Sequence, residues 1–295
     1  MPSVLCDICP RNCKKYRDDN SGDGFCGSGR LPKIARAALH YWEEPPISGD
    51  RGSGTVFFSG CSLKCVFCQN YQISAENYGK TVSVERLREI YKELEDKGAH
   101  NINLVNPTHY AEAIAKSLEN PPNIPVVYNC GGYEKTETLK MLEGKIDIYI
   151  PDIKYSDDML AKKYSKADGY FEIAKAATEE MYRQTGRFAI DENGIMKSGV
   201  IIRHLVLPGH LENTFGVIDY VSDTFAPGQI LFSLMSQYTP CGQAGKYPEI
   251  NRRLNLQEYE TVREYLENSD IEDGFVQELS SAKEEYIPEF DLEGV

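Results

Sequence analysis

The chain has 295 residues, which is long enough to bury one large core or two smaller ones. Its formal net charge is −13, with 32 Lys and Arg against 45 Asp and Glu. This acidity excludes a general nucleic-acid or membrane-surface binder, because phosphate groups attract clustered basic side chains. The sequence shows no N-terminal apolar stretch typical of a signal peptide and no run of transmembrane length, so we expect a cytoplasmic protein without a membrane partner.

The nine cysteines are unevenly distributed, and seven of them lie within the first 68 residues. An odd number cannot pair completely, and structural disulfides are rare in the cytoplasm. Clustered cysteines in a reducing compartment are typical of metal or redox sites. Cys130 and Cys241 stand apart, and a free cysteine of this kind is usually a small buried hydrophobe.

Residues 1–50 are rich in Cys, Gly, Pro and charged residues, and we interpret them as a small irregular Cys-rich metal-binding lobe with its linker. One piece, residues 31–42, is predicted as a short helix. The lobe contains a set that we call the amino-terminal cysteines, Cys6, Cys9, Cys13 and Cys26. Four thiolates suit zinc and a second, auxiliary iron–sulfur cluster equally, so both alternatives stay open, as does a set of unliganded thiols.

The linker ends in an unusual aromatic and acidic group beside two prolines, His40, Trp42, Glu43 and Glu44. One interpretation is that these side chains line the mouth of a substrate site. The other, which we favour slightly, is that Trp42 anchors the linker on the following domain, because tryptophan is usually largely buried.

From residue 51 to residue 250, short apolar runs alternate with helical patterns. The predicted strands are residues 55–58, 101–105, 124–129, 146–152, 199–208 and 229–238. The helical patterns that follow them are residues 82–99, 108–118, 134–144, 170–186, 212–225 and 255–268. Such alternation predicts an α/β fold with a parallel sheet covered by helices, either closed into a barrel or doubly wound. We interpret residues 251–295 as a C-terminal helix and an acidic tail, which either docks on the barrel or trails.

Polar segments follow all six predicted strands. They are SGC, NPTH, NCGGY, PDIKY, PGH and SQYTP. Loops are polar in general, but this does not explain the concentration of Cys, Asn, His, Asp and Lys. Because the carboxyl ends of parallel strands meet at one edge of a sheet, the sequence predicts a ligand site at this edge.

The first of these segments opens a loop, residues 59–68, which we call the cluster loop. It carries three cysteines at x3 and x2 spacing, Cys61, Cys65 and Cys68. Cysteines at this spacing do not share one helix face and suit a loop wrapped around an iron–sulfur cluster, with Gly60 allowing close backbone approach to it. Such a cluster normally takes four cysteines, so three leave one iron open. A three-cysteine zinc site completed by a histidine is the alternative.

The segment CSLKCVFC, with Phe67 just before the last cysteine, resembles the signature of the radical SAM superfamily. The resemblance implies a 4Fe–4S cluster on the three cysteines of the cluster loop and S-adenosylmethionine (SAM) on the open iron. It also implies a reductant protein such as flavodoxin or ferredoxin, cleavage of SAM to a 5′-deoxyadenosyl radical, and hydrogen abstraction from a substrate, with no catalytic side chain beyond the cluster and SAM. The family core is a partial (β/α)6 barrel of TIM type, which agrees with the six predicted units.

Within that superfamily, the chain resembles the branch related to the pyruvate formate-lyase activating enzyme, through the cluster loop and the stretches YNCGGYE, DIYIPDIKY and IIRHLVLPG. The residues that the resemblance and the strand ends place in a SAM pocket are Phe67, Asn106, Thr108, His109, Asn129, Gly131, Asp152, Lys154 and Arg203. The segment Asn-Pro-Thr-His departs from the family pattern, because many members carry Gly-Gly-Glu there. Asp152 and Lys154 have the alternative of a plain surface ion pair. Arg203, in an apolar strand, needs a buried partner, which is either SAM or a structural aspartate.

The function implied first is hydrogen abstraction from a protein or peptide, as in the activation of glycyl-radical proteins. Radical modification of a small molecule is the alternative within enzymes. A non-catalytic metal-binding or electron-transfer module is disfavoured, because an electron carrier protects its cluster with four cysteines and needs no SAM pocket.

Overall fold

A computed structural model of the chain describes residues 4–277, 279 and 288–295. Its strands are β1 (Val4–Leu5), β2 (Tyr16–Arg17), β3 (Lys33–His40), β4 (Ser53–Phe58), β5 (Lys80–Thr81), β6 (Ile102–Val105), β7 (Val126–Cys130), β8 (Ile148–Pro151), β9 (Ala189–Ile190), β10 (Met196–Leu205), β11 (Leu231–Met235) and β12 (Gly274–Val276). Its α-helices are α1 (Pro45–Ser48), α2 (Tyr71–Ser74), α3 (Val84–Asp96), α4 (Ala111–Ser117), α5 (Thr136–Lys140), α6 (Asp158–Ser165), α7 (Tyr170–Thr185), α8 (Leu211–Thr224) and α9 (Leu256–Glu267). None of the described helices is both long enough and apolar enough to cross a membrane.

The main sheet is built from parallel strands in the order β4, β6, β7, β8, β10, β11 and β12. On its outer face, strand residues such as Leu104 and Ile202 pack with helix residues such as Ile90 and Val217 in one large core. The alternate strand residues face the interior of the sheet, since successive side chains of a strand point to opposite faces. The architecture is the partial (β/α)6 barrel that the sequence predicts, and its strands are apolar because both faces are buried.

All six predicted strands are present, as β4, β6, β7, β8, β10 and β11, and each predicted helical pattern contains a helix. The sequence did not predict α1, α6 or β12. Strand β12 pairs in parallel with β11 and adds a further parallel strand at this edge. Its residues are partly exposed, so no apolar run marks it in the sequence.

The prediction of a short helix at residues 31–42 is wrong, because this segment forms β3. Strand β3 pairs antiparallel with β4 along its length and with β5 at Lys33 and Ile34. An alanine-rich segment favours a helix locally, but Ala35 and Ala37 are buried and their backbone groups bond to neighbouring segments. Sheet pairing therefore overrides local helix propensity.

The C-terminal residues 288–295 dock on β3, so the described end of the acidic tail does not trail. Backbone hydrogen bonds of 3.0 and 2.8 Å join Leu292 and Glu293 to two alanines of the strand. The part of the predicted tail at residues 280–287 lies outside the described residues.

Helix α1 closes the lower end of the barrel, where the parallel strands begin. Ile47 is fully buried and packs against interior residues, namely Val127, Ile148, Ile150, Met196, Ile201 and Leu231. Asn101 Nδ2 donates to Ile47 O at 2.8 Å, and Ser53 Oγ donates to Asn101 Oδ1 at 2.6 Å. These contacts fix α1 beneath the interior, so the linker residues just before it, Glu43 and Glu44, are carried into the barrel.

Candidate active site

The cluster loop leaves β4 at the carboxyl edge of the sheet, and residues that follow β6 hold its beginning. His109 Nε2 lies 2.8 Å from Ser59 O, and the Asn106 side-chain amide donates to Gly60 O. Gly60 has a φ of +83°, and a Cβ at this position would lie 2.1 Å from Ser28 Oγ. A glycine is therefore required here by the close approach of the amino-terminal lobe, residues 4–32.

The protein offers hydrogen-bond donors to the three thiols of the cluster loop. Hydrogen bonds reach the sulfurs from Leu63 N at Cys61 (3.3 Å), from Ser165 Oγ at Cys65 (3.0 Å) and from Ser74 Oγ at Cys68 (3.3 Å). Hydrogen bonds to sulfur are among the features by which proteins tune iron–sulfur clusters.

Burial raises the pKa of Cys61 to about 12 and that of Cys68 to about 11, and the negative charge of a Cys65 thiolate adds to both shifts. The three groups therefore lie within electrostatic reach of one another. The thiols of Cys61 and Cys68 are therefore neutral at ordinary pH, and thiols of this kind give up their protons to a bound metal. Soft thiolate donors on one loop are the ligand set of an iron–sulfur cluster, so the residues fit that group.

No group of three or more His, Cys, Asp or Glu side chains in the described part of the chain is placed to hold a metal ion as it stands. A four-iron cluster and a three-cysteine zinc site completed by a histidine would both use these thiols as ligands.

Phe67 lies on the inner side of the cluster loop, in a cluster of aromatic rings. Its ring is nearly buried and makes edge contacts with Tyr155, Tyr164 and Tyr238 at centroid distances of 6.4, 6.3 and 5.8 Å. These contacts attach the loop to segments that follow β8 and β11. Such edge-to-face packing stabilises the loop and leaves Phe67 as part of its supporting wall.

A buried group of charges lies at the carboxyl ends of β8 and β10, and we call it the interior ion network. Arg203 Nε donates to Asp152 Oδ1 at 2.8 Å, and Lys154 Nζ lies 2.6 Å from Asp152 Oδ2. Arg203 Nη1 also lies 2.9 Å from Glu43 Oε2. All four side chains are at least four-fifths buried, which excludes a plain surface ion pair for Asp152 and Lys154.

Asn129 completes the partners of Arg203. Its Oδ1 accepts from Arg203 Nη2 at 2.9 Å, and its Nδ2 donates to Glu43 Oε1 at 3.2 Å. The structure shows one of the partners that the sequence offered for Arg203, the structural aspartate Asp152. A second carboxylate, from Glu43, was not expected.

Attraction between opposite charges keeps the groups of the network charged, although burial disfavours their charged forms. Burial opposes ionisation of Asp152, but Arg203 and Lys154 outweigh it and lower its pKa. Burial likewise opposes the charge on Lys154, and Asp152 outweighs it and raises the pKa of the amine. The pKa of Arg203 is raised because Asp152 and Glu43 outweigh its burial. Asp152, Lys154 and Arg203 therefore stay ionised over the ordinary pH range.

Lys154 and Gly131 bring the interior ion network against the cluster loop. The ammonium group of Lys154 lies near enough to Cys68 to lower the pKa of that thiol in part. A Cβ on Gly131 would lie 2.6 Å from Leu63 Cδ1 and 3.5 Å from Lys154 Cε. Gly131 thus allows the cluster loop, which carries the thiols, to approach the buried charges of the network.

Two of the predicted pocket residues, Thr108 and His109, lie apart from the interior ion network. Thr108 Oγ1 donates to Glu134 Oε1 at 2.6 Å, and Tyr128 OH donates to Glu134 Oε2 at 3.0 Å. Burial raises the pKa of Glu134 to about 7, although these hydrogen bonds act against the shift. Glu134 ends the segment YNCGGYE, and no sequence pattern indicates a role for this buried acid.

The linker group is divided between solvent and the barrel interior. Trp42 keeps 60% of its surface exposed, so the expectation that it anchors the linker by burial is wrong. Glu43 joins the interior ion network, and Glu44 Oε1 accepts from Ser233 Oγ at 2.8 Å. Burial raises the pKa of Glu44. The position of α1 beneath the barrel explains this division, because the two residues before it point upward into the interior.

The amino-terminal cysteines lie in a lobe that docks on the cluster loop. Arg11, between Cys9 and Cys13, donates to Ser62 O and Ser165 O, both at 2.6 Å. Its guanidinium also lies 4.0 Å from the centre of the Phe25 ring. The sequence indicates Arg11 only as a basic residue inside a cysteine-rich turn, so its role as the docking residue was not predicted.

Comparison with known proteins identifies the family. The sequence model of the radical SAM superfamily matches residues 55–216, which is more than half of the chain. A curated relative, the uncharacterized protein MJ0674 of Methanocaldococcus jannaschii, is 32% identical over 280 residues, covering 90% of this chain and 75% of the relative.

A solved structure shares the fold at low identity. A single-substitution variant of spore photoproduct lyase has a TM-score of 0.52 and 11% identity, covering 82% of this chain and 80% of that chain. SuiB of Streptococcus suis has a TM-score of 0.49 and 14% identity, and this chain covers 50% of its length with 78% of its own. The family match contains the cluster loop and the first five parallel strands of the barrel. The chain therefore belongs to the radical SAM superfamily and is an iron–sulfur enzyme that uses S-adenosylmethionine.

Proposed function

We propose that Cys61, Cys65 and Cys68 hold the 4Fe–4S cluster and that SAM binds between the cluster loop and the interior ion network. One observation carries the proposal. Three thiols at the end of β4 face a buried group of opposite charges at the ends of β8 and β10. Neither feature by itself implies this cosubstrate, but together they border a space with soft ligands on one side and charge complementarity on the other.

The charges of the network match those of the proposed cosubstrate. SAM carries a carboxylate, an amino group and a positive sulfonium. Lys154 and Arg203 offer buried cations for the carboxylate, and Asp152 offers a carboxylate for a positive group. We propose that SAM displaces Glu43 from Arg203, because Glu43 is supplied by a linker and not by the barrel wall.

The remaining predicted residues support this pocket in two ways. Asn129 and Gly131 border it at the end of β7, and Phe67 supports the loop from behind. Asn106 and His109 already bond to the first residues of the cluster loop, and Thr108 bonds to Glu134. We therefore propose that these last three residues position the loop instead of contacting SAM.

When bound and reduced, the cluster and SAM supply a radical that abstracts a hydrogen atom from the substrate. The residues of this chain hold the ligands, keep the site charged and exclude water. Helix α1 and Ile47 close the interior from below, so the substrate reaches the site from the carboxyl edge or through the open side of the sheet. A reductant protein of the flavodoxin or ferredoxin class would supply the electron.

The substrate that we propose is a protein or peptide, as for the pyruvate formate-lyase activating enzyme branch. The support is the resemblance in the cluster loop, in YNCGGYE, in DIYIPDIKY and in IIRHLVLPG, together with a sheet whose described strands do not close on themselves. Radical modification of a small molecule is the second candidate. We further propose a cytoplasmic location and the division into residues 1–50, 51–250 and 251–295, although β3 and β12 join the barrel sheet from the two outer units.

The test is anaerobic reconstitution of the chain, with iron and sulfide counted and SAM cleavage to 5′-deoxyadenosine followed after reduction. Cys65→Ala should lose the catalytic cluster and reduce SAM cleavage to background. Cys241→Ala, which changes a cysteine that the proposal does not assign to the cluster, is the matched control and should retain both. A wild-type protein without a cluster, or a Cys65→Ala protein that cleaves SAM as fast as wild type, would overturn the proposal.

The substrate class needs a separate experiment. A deuterated glycyl-radical-type polypeptide is added to the reduced enzyme and SAM, and deuterium is measured in 5′-deoxyadenosine. Transfer that depends on the polypeptide supports the activase function. Rapid SAM cleavage with a small molecule and no transfer from any polypeptide would favour the second candidate.

A further inference from the structure

Residues 288–295, which we call the docked segment, lie along the outer edge of β3. In the described part of the chain, β5 pairs with only the first two residues of β3, so the edge beyond them can accept another segment. Leu292 N donates to Ala35 O at 3.0 Å, and Ala37 N donates to Glu293 O at 2.8 Å. The docked segment thus uses backbone groups that β3 offers to any chain laid along it.

Phe290 carries the docked segment onto the inner face of the sheet. Its ring makes an edge contact with Phe57 at a centroid distance of 5.6 Å, in an apolar group that also contains Ile73 and Val105. Phe57 points to the barrel interior, because the residues before and after it pack in the outer core. The docked segment therefore reaches from the open edge of the sheet to its interior side.

The contact of Phe290 lies at the base of the cluster loop. Phe57 stands two residues before Ser59, where the loop begins. Ile73 also touches the loop, because Gly60 N donates to Ile73 O at 2.8 Å. A chain that binds at this surface is therefore brought next to the loop that carries the three cysteines, at the open side of the sheet.

The surface under the docked segment adds two cations to the apolar group. Arg36 Nη1 pairs with Asp291 Oδ1 at 2.9 Å, and Arg36 Nη2 pairs with Glu293. Lys80 Nζ donates to Val295 O at 3.2 Å. In a chain with a net charge of −13, cations beside an apolar patch select for an acidic segment that carries a large apolar side chain.

The docked segment is held at the surface of the molecule, so another chain can take its place. None of its residues, all of which the structure describes, is buried. The side chains of Asp291 and Glu293 keep 51% and 48% of their surface exposed, and exposed ion pairs contribute little. Leu292 has a φ of +66°, a backbone conformation that disfavours leucine.

We propose that this surface is the docking site for the polypeptide substrate, and that the docked segment occupies it while no substrate is bound. The partner is an acidic segment with an aromatic residue. Its ring packs on Phe57, its carboxylates pair with Arg36, and its backbone bonds to the edge of β3. The identification of this partner as the substrate rests on the proposed function, whereas docking itself needs neither the cluster nor SAM.

The first test uses a fluorescent peptide with the sequence of residues 288–295, added to the full-length reconstituted protein without reductant. In the wild type the docked segment competes from the same chain, at an effective concentration of the order of millimolar. Phe290→Ala/Asp291→Ala weakens this competitor and leaves the surface unchanged. We expect the variant to bind the peptide at least about tenfold more tightly than wild type, as measured by anisotropy. Equal affinities, or no binding by either protein, would overturn the proposal.

Two arginine variants test the specificity of this binding. Added to the weakened variant, Arg36→Gln should abolish peptide binding. Arg88→Gln should retain it, because Arg88 is also half-buried but bonds to Lys116, Ser117 and Glu119 instead. Equal losses would indicate non-specific attraction and contradict the proposal. If the weakened variant does not fold, Glu293→Gln removes one exposed ion pair in its place and should also bind the peptide more tightly than wild type.

Hydrogen exchange locates the bound peptide. The amide of Ala37 donates to the docked segment, so its exchange should be faster in the weakened variant and slow again when the peptide is added. Exchange at Ala37 that does not respond to a bound peptide would place the peptide elsewhere and overturn the proposal.

The partner is tested by competition. The deuterated glycyl-radical-type polypeptide of the activity assay should displace the peptide from the weakened variant. Absence of displacement contradicts the docking site, whether or not deuterium is transferred. Displacement without transfer contradicts only the proposed substrate class. A wild-type dimer that the peptide dissociates would identify a second copy of this chain as the occupant and overturn the proposal.

Discussion

Arg203 is the residue on which the charge balance of the barrel interior depends. It bonds to Asp152 and Glu43, both nearly buried. Replacement of Arg203 by Met would leave two carboxylates without their guanidinium. Breaking a buried pair costs about 3–5 kcal/mol, so we expect a loss of this order in the free energy of unfolding measured with denaturant.

Arg183→Met is the matched control for this prediction. Arg183 also bonds to two carboxylates, Glu180 and Glu143, but half of its side chain is exposed. An exposed pair contributes about 1 kcal/mol or less. If Arg203→Met were no more destabilising than Arg183→Met, the interior ion network would not have the role that we assign to it.

Glu134 should make the stability of the protein depend on pH. Burial raises its pKa in the folded chain to about 7 from an ordinary value of 4.5. Between these two values the folded state binds more protons than the unfolded state, so the free energy of unfolding falls as pH rises. A shift of this size corresponds to a loss of up to about 3 kcal/mol between pH 4 and pH 8.

The variant Glu134→Gln isolates this effect, because glutamine can keep hydrogen bonds to Thr108 and Tyr128 but does not titrate. The difference in unfolding free energy between wild type and variant should change in favour of the variant as pH rises from 4 to 8. A difference that stays constant over this range would show that Glu134 does not titrate as the structure implies.

At the scale of residues, the sequence indicated the charged residues that follow the strands better than the partners that the structure gives them. Asp152, Lys154 and Arg203 follow apolar strands whose ends must meet, so their proximity could be expected. Glu43 lies 160 residues from Arg203 in the chain, and nothing local indicates that it enters the barrel. Its place is decided by the packing of α1, which is a property of the folded molecule.

The cluster loop as an element depends on the close packing of Gly60 against the lobe. A Cβ there would lie 2.1 Å from Ser28 Oγ and 3.0 Å from Cys26 O, in a left-handed backbone conformation. We expect Gly60→Ala to lower the melting temperature and to reduce iron content at the cluster loop, because the loop or the lobe must shift to relieve the contacts.

Gly98→Ala provides the control for backbone strain alone. Gly98 has a φ of +85°, close to the +83° of Gly60, but a Cβ at Gly98 would meet no atom within 4 Å. Its substitution should cost about 1 kcal/mol, the usual penalty for a left-handed alanine. Equal destabilisation by the two substitutions would indicate that the contacts of Gly60 with the lobe are unimportant.

At the scale of elements, apolar runs and helical spacing were sufficient to predict the six parallel strands and the helices that follow them. These patterns did not predict the elements whose tertiary contacts outweigh the local preference of the sequence. Strand β3 has the composition of a helix, and β12 has no apolar run, yet each has a neighbouring strand with free backbone groups. Helix α1 contains two prolines and only four residues, so no periodicity can indicate it.

At the scale of the whole molecule, a small lobe with little hydrophobic core is attached to a large barrel. Arg11 is the main polar link that we identify between the lobe and the barrel. It donates to the carbonyls of Ser62, Ser165 and Lys166 across the contact. Hydrogen bonds to a charged donor contribute about 1.5–3 kcal/mol each, and truncation leaves these carbonyls without that donor. We therefore expect Arg11→Ala to weaken the docking of the lobe more than the barrel itself.

Hydrogen exchange measures this difference directly. In Arg11→Ala, amide protection should fall in the lobe and in the cluster loop. Strands β6, β7 and β8 should keep wild-type protection, because contacts other than those of Arg11 hold the large core together. Arg30→Ala is the control, since Arg30 pairs with Asp19 inside the lobe and does not reach the barrel. It should change exchange in the lobe alone, by an amount that corresponds to about 1 kcal/mol or less. If Arg11→Ala left the cluster loop as protected as Arg30→Ala does, the lobe and the cluster loop would be independent units, and Arg11 would not have the docking role that we assign to it.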